Sequence, residues 1–184
     1  MIAARDAART VLVADDSAFM RKLIGEMISD HAGFRVAGFA RDGVDALDQV
    51  QRLDPDIVTL DLEMPRLDGL RVLRRIMTES PRAVVVLSAG GPQYGDATLR
   101  ALELGAVDFV RKPSGPVSLD LPVIRDRLMH ALDAAASATI ASLATLLFPG
   151  AAPARAASSA ALHAPARHVV VVASSTGGPR ALAE

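Results

Sequence analysis

Short aliphatic runs alternate with stretches of helical periodicity along the first two thirds of the chain, and that alternation leaves few folds open. Val11-Leu12-Val13-Ala14 is followed, within Ser17 to His31, by Phe19, Leu23 and Met27 at helical spacing, with Ser17 placed as an N-cap. Phe34 to Ala40 reads as a second strand and Val44 to Leu53 as a second helix. Ile57 to Leu60 is a third strand, and Leu70, Leu73, Ile76 and Met77 lie on a third helix. Val84 to Leu87 is a fourth strand, and Ala97 to Leu104 a fourth helix closed by Gly105. Val107 to Val110 and Leu121 to Leu132 complete a fifth pair. Five strand–helix units in series predict an α/β fold on a five-stranded parallel, doubly wound sheet. The first, third and fourth strands are unbroken apolar runs, as a sheet covered on both faces requires. Ligands of such sheets bind in the crevice beyond the carboxyl ends of the strands. The residues that follow each strand are therefore the ones to examine.

The first strand ends in Asp15-Asp16, the third in Asp61 and the fourth in Ser88-Ala89; the fifth is followed by Lys112-Pro113. Singly, each has a plain reading: an Asp after a strand is commonly a cap or turn residue, Ser88 suits a local turn, and Lys-Pro suits a solvated loop. Together they face one crevice. Three gathered carboxylates repel and raise one another's pKa. A hard divalent cation such as Mg²⁺, which prefers oxygen ligands, relieves that repulsion. One carboxylate could then act as a nucleophile toward phosphoryl groups. The metal and Lys112 would supply positive charge around the transferring oxygens, and Ser88 could donate a hydrogen bond to one of them.

Composition removes other chemistries. Cysteine is absent, which excludes disulfides, thiolate nucleophiles and Cys-ligated metal centres and fits a reducing, cytoplasmic setting. Lys and Arg total 20 against 21 Asp and Glu, so no basic excess advertises nucleic acid. Aromatics are 3% with no Trp, which disfavours a base-stacking platform. Met1 to Thr10 carries Arg5, Asp6 and Arg9 and has no apolar core of the signal-peptide kind. Ala134 to Ala154 is uncharged and long enough to span a bilayer. It is built mainly of Ala, Ser and Thr and is interrupted by Pro149-Gly150, so no membrane insertion is expected.

Beyond Ala131 the composition shifts: residues 131–166 hold 16 alanines together with Pro149, Pro153 and Pro165. Met129, Leu132, Ala136, Ile140, Leu143 and Leu147 share one helical face, so the fifth helix is expected to continue to about Leu147. Ala151 to Ala166 reads as a flexible linker. His168 to Ala173 opens a new buried strand, followed by Ser174-Ser175-Thr176-Gly177-Gly178. On residues alone this is a glycine-rich turn with a capping serine.

These strand-end residues are where the chain resembles a known family: residues 10–133 are similar to a response-regulator receiver domain of flavodoxin-like topology. The resemblance implies that Asp15, Asp16, Asp61 and the backbone carbonyl of Glu63 bind Mg²⁺, and that Asp61 accepts a phosphoryl group from a histidine kinase. It implies that Ser88 and Lys112 sense that group, that Phe109 is the switch aromatic, and that the Lys112–Pro113 bond is cis. Many receivers carry Tyr at the Phe109 position, so a hydroxyl contact is missing here. Two segments are more specific. Asp61-Leu62-Glu63-Met64-Pro65-Arg66-Leu67-Asp68-Gly69-Leu70 and the run Thr98 to Val110 resemble the chemotaxis protein-glutamate methylesterase regulators. Val172-Ala173-Ser174-Ser175-Thr176-Gly177-Gly178-Pro179 resembles the opening of their esterase domain, where the Ser of a Ser-Thr-Gly-Gly turn is the nucleophile. That match assigns Ser175. This chain has Ala173-Ser174 where the family usually has Gly-Ala.

The implied organisation is a receiver domain over 10–133, an Ala-rich helical extension and linker over 134–166, and the incomplete start of a methylesterase-like domain over 167–184. A Ser hydrolase needs a base and an orienting acid. None of His31, His130, His163 and His168 follows Ser175, and the family's His and Asp lie downstream of the turn. These 184 residues are therefore expected to lack methylesterase activity on their own. The implied function is a phosphorylation-activated chemotaxis regulator that, in full length, hydrolyses glutamyl methyl esters on chemoreceptors and in some members deamidates glutamine. Its phosphodonor would be a chemotaxis histidine kinase. The alternative is a stand-alone switch that works by partner binding or dimerisation through the alanine-rich face. A DNA-binding regulator is disfavoured because no helix-turn-helix or basic stripe follows the receiver. Phosphatases with an aspartyl-phosphate intermediate place a second Asp where this chain has Glu63.

Overall fold

Each aliphatic run forms a strand and each periodic stretch a helix. The computed structural model describes residues 8–88, 95–112 and 121–140. In chain order the elements are β1 (Arg9–Ala14), α1 (Ala18–Ser29), β2 (Phe34–Ala40), α2 (Gly43–Leu53), β3 (Ile57–Asp61), α3 (Gly69–Glu79), β4 (Ala83–Ser88), α4 (Gly95–Glu103), β5 (Asp108–Arg111) and α5 (Leu121–Ser137). The strands form one sheet in the order β2-β1-β3-β4-β5, and every pair is parallel. This is the flavodoxin-like order.

Burial explains the sequence pattern. β1, β3 and β4 are the interior strands, and Val11, Leu12, Val13, Ala14, Val58, Leu60, Val84, Val85 and Val86 are fully buried. The edge strands β2 and β5 are only partly covered, which is why their sequences are mixed. The helices supply the other half of the core through Ile24 and Ile28, Ala46 and Val50, Leu73 and Ile76, and Leu128 and Leu132. Each buried Ile, Leu or Val side chain among them contributes about 2 kcal/mol relative to exposure.

Local chemistry sets the helix ends. The Ser17 hydroxyl accepts from the Met20 N–H and caps α1. At the end of α4 the Ala106 N–H reaches Ala101 O and the Gly105 N–H reaches Leu102 O, with Gly105 at φ 100. That is the paired C-terminal closure that favours glycine.

One expectation needs correction, and one residue of an apolar stripe departs from its neighbours. Phe19 shares a helical stripe with Leu23 and Met27, yet it is 56% exposed. It lies in the first turn of α1, beyond the carboxyl end of β1, where the sheet no longer runs beneath the helix. The fifth helix does not run unbroken toward Leu147, because α5 ends at Ser137 and Ala138 and Thr139 lie outside it. The Ser137 hydroxyl donates to Asp133 O and the Ala138 N–H to Ala135 O, local bonds that compete with the helical ladder. The Lys112–Pro113 bond, the linker and the start of a second domain with Ser175 lie outside the described residues. Among the described residues no helix is long and apolar enough to cross a membrane.

Candidate functional site

The sheet order reverses at β1, whose neighbours are β2 on one side and β3 on the other. Crevices form at such reversals. Asp15 and Asp16 leave β1 there, and Asp61 is the last residue of β3. Asp15 is held through its backbone, the N–H donating to Ala40 O at 3.1 Å. Its Oδ1 accepts the Ser17 N–H at 2.9 Å. Arg21, in α1, donates from Nη1 to the carbonyls of Asp15 and Asp16 at 2.8 and 3.0 Å. Asp61 Oδ1 accepts the Glu63 N–H at 3.1 Å, which ties the acceptor side chain to the loop that follows it.

Both remaining oxygens turn to one cation. Lys112 Nζ lies 2.8 Å from Asp15 Oδ2 and 2.7 Å from Asp61 Oδ2. The Lys112 N–H donates to Ser88 O at 2.8 Å, so this lysine is anchored just past β5. Asp15 and Asp61 are buried and Asp16 is exposed, and the three offer carboxylate oxygens within 4.8 Å of one another. Three carboxylates against one ammonium leave a formal charge of −2.

Burial raises the Asp61 pKa to about 6, against the hydrogen bond and charge of Lys112; Asp15 adds least to the rise. Desolvation, more than the mutual repulsion expected from sequence, thus dominates. For Lys112 burial acts to lower the pKa, but its bonds to Asp15 and Asp61 prevail and leave it above the ordinary lysine value. The donors are all oxygen, clustered, partly buried and in net negative surplus, which suits a hard divalent cation.

Asp15, Asp16, Asp61 and Lys112 are therefore brought together as expected. Ser88 is buried at the end of β4, and its Oγ accepts from the Thr98 hydroxyl at 3.4 Å. The Glu63 side chain is exposed, while its backbone faces Asp61. Phe109 lies on the edge strand β5 and is 37% exposed.

Sequence reasoning missed the residues that shape the acceptor loop. The Gly69 N–H donates to Leu62 O at 3.0 Å. A Cβ on Gly69 would lie 2.2 Å from Asp61 O and 2.6 Å from Leu62 Cα. An Asp-Gly pair opening each of α2 and α3 was the available signal, since Asp42 and Asp68 cap these helices. Gly69→Ala is expected to cost about 3 kcal/mol in urea denaturation, because the clash is with backbone that cannot swing aside. Wild-type stability in that variant would contradict the close approach.

Comparison with known proteins places this geometry. The response regulator receiver domain family matches residues 11–123, and the chain is a member of that family. Over 94% of its length the chain is 46% identical to a protein-glutamate methylesterase/protein-glutamine glutaminase of Symbiobacterium thermophilum, covering 50% of that protein. It is 42% identical over 94% of its length to one of Pyrococcus horikoshii, covering 46%. The chain thus spans about half the length of the curated relatives it matches. Its fold is similar to the response regulator domain of Thermotoga maritima CheB, with TM-score 0.64 and 38% identity over 70% of this chain and 96% of that one. A chain in the CheX-CheY-BeF3-Mg²⁺ complex of Borrelia burgdorferi is similar at TM-score 0.54 and 28% identity, over 67% of this chain and 86% of that one. Among receivers, this one belongs to the chemotaxis response regulators of the protein-glutamate methylesterase family.

Proposed function

We propose that this receiver is the phosphoryl-accepting switch of a chemotaxis regulator, with Asp61 as the acceptor. One observation carries the reading. Asp61 ends a central strand as a buried carboxylate with Asp15 and Asp16 beside it and the Lys112 ammonium 2.7 Å away. Asp15, Asp16, Asp61 and the Glu63 carbonyl would hold Mg²⁺, which neutralises charge between the acceptor and an incoming phosphoryl group. A solved relative whose complex contains BeF3 and Mg²⁺ supports that choice of ion.

In the transfer an Asp61 carboxylate oxygen forms a bond to phosphorus as the bond from phosphorus to the donor imidazole nitrogen breaks. The imidazole leaves with the bonding electron pair and takes up a proton. Lys112 stays within reach of the transferring oxygens, and Ser88 donates a hydrogen bond to one of them. Both residues sit beside β5, so their rearrangement would reach Phe109. The donor would be a chemotaxis histidine kinase.

The domain reading follows from the same family: receiver over 10–133, extension and linker over 134–166, and the start of an esterase domain over 167–184. The whole protein would then hydrolyse glutamyl methyl esters of chemoreceptors with Ser175 as nucleophile, under control of the phosphorylated receiver. The test of the acceptor uses a small phosphodonor with Mg²⁺, followed by mass mapping of the modified residue. Label at Asp61 is the expected result. Label elsewhere, or none, would overturn the assignment.

A further inference from the structure

We propose that Arg66 is a positioning residue for the acceptor site, its ion pair with Asp42 holding the β3–α3 loop in the strained turn that sets the Glu63 backbone. The proposal rests on the reading of Asp61 and Glu63 above. Arg66 Nη1 donates to Asp42 Oδ2 at 2.9 Å, across a sequence separation of 24. Asp42 is a firm anchor. Its side chain is 6% exposed, and Oδ1 accepts the N–H groups of Val44 and Asp45, both at 3.0 Å, as the N-cap of α2. The Arg66 side chain is 55% exposed, so packing alone does not fix it.

The backbone of Arg66 is what needs fixing. Its φ is 69, in the left-handed region that disfavours residues with a Cβ. The Leu67 N–H donates to Pro65 O at 2.8 Å, which closes a γ-turn centred on Arg66. A γ-turn with positive φ at its centre is rare and strained. Such a conformation persists only where its surroundings over-determine it. Three contacts do so. Arg66 is tied to Asp42, the loop carbonyl of Leu67 presses on α2 where a Cβ on Gly43 would lie 2.1 Å from it, and the Gly69 N–H closes the far end on Leu62 O. Only the first is made by a side chain of the turn itself. Inside the same loop the Glu63 N–H reaches Asp61 Oδ1, so the path of the turn is coupled to the acceptor.

The test is a Mg²⁺ titration of the full chain in wild type, Arg66→Ala, Asp42→Asn and the double variant, with hydrogen exchange of the Leu67 amide measured without metal. Asn keeps the cap of α2 and removes the charge. Each single variant is expected to weaken Mg²⁺ about tenfold, as loss of a residue supporting a metal site does. The double variant should lose no more than either single one, Arg66→Lys should recover most of the affinity, and Leu67 should exchange faster in Arg66→Ala. Unchanged affinity in folded single variants, or losses that add in the double variant, would overturn the proposal. If wild type binds no Mg²⁺, the metal reading of the site fails instead. Leu67 exchange then still decides the clamp: faster exchange in Arg66→Ala upholds it and equal exchange removes it.

Discussion

Asp61→Asn should take up no phosphoryl group and yet, without divalent cation above neutral pH, should be more stable than wild type. The first effect is the loss of the nucleophile. The second follows from burial. The Asp61 carboxyl has an ordinary value of 3.8 and is pushed up to about 6 in the fold. That difference corresponds to roughly 3 kcal/mol at about 1.4 kcal/mol per unit, charged against the ionised folded state. Between these two values the folded protein holds more protons than the unfolded chain. Wild-type stability therefore falls as pH rises through that window, is fully reduced above about pH 6 and is unaffected below about pH 4. Urea denaturation across the window should show Asp61→Asn nearly flat, with the two proteins converging at the acid end. Mg²⁺ should narrow the gap, since it stabilises only the chain that binds it well. Equal stability of the two proteins at about pH 8 would mean that burial of Asp61 costs the fold nothing, contrary to its raised pKa.

Lys112→Ala should have the opposite sign. It leaves Asp15 Oδ2 and Asp61 Oδ2 buried without the ammonium that lies within 2.8 Å of both. Removing one member of a buried charge cluster costs about 3 kcal/mol or more. The formal charge of the site becomes more negative, so Mg²⁺ should bind more tightly and restore more stability than it adds to wild type. Adding Asp61→Asn to the variant should recover most of the loss. Phosphoryl uptake should survive, but hydrogen exchange along β5 should no longer respond to it. A Lys112→Ala protein as stable as wild type without metal would show that the ammonium is not what makes burial of these carboxylates tolerable.

The interior of this fold was legible because its strands are covered on both faces. Val11 to Ala14, Ile57 to Leu60 and Val84 to Leu87 announce themselves by lacking polar residues, and the rule of the strand ends then picks out Asp15, Asp16, Asp61, Ser88 and Lys112. Ser17 and Gly105 act locally, so their roles could also be read from local sequence. What escaped depends on contact between segments. Arg66 is an unremarked surface arginine until the chain folds α2 against the acceptor loop. Gly43 and Gly69 look like ordinary helix-start glycines until neighbouring backbone lies against them. Phe19 shows the converse: periodicity marks a stripe but does not say how far the sheet extends beneath it. The source of the Asp61 shift was misjudged likewise, since spacing reports nearby charges while desolvation depends on the finished core.

The division of labour among four oxygens has a further consequence. Asp15 and Asp61 each commit Oδ1 to a backbone N–H, and each gives Oδ2 to Lys112. Any ion or group that binds either Oδ2 shares it with, or takes it from, a tethered lysine. Association at this site is therefore weighed against the lysine, and its measured strength includes the repulsion and competition between two cations at one pair of carboxylates. Affinity can then be tuned from the side of the incumbent: a change that loosens Lys112 from Ser88 O, on the neighbouring strand, would tighten a ligand it never touches.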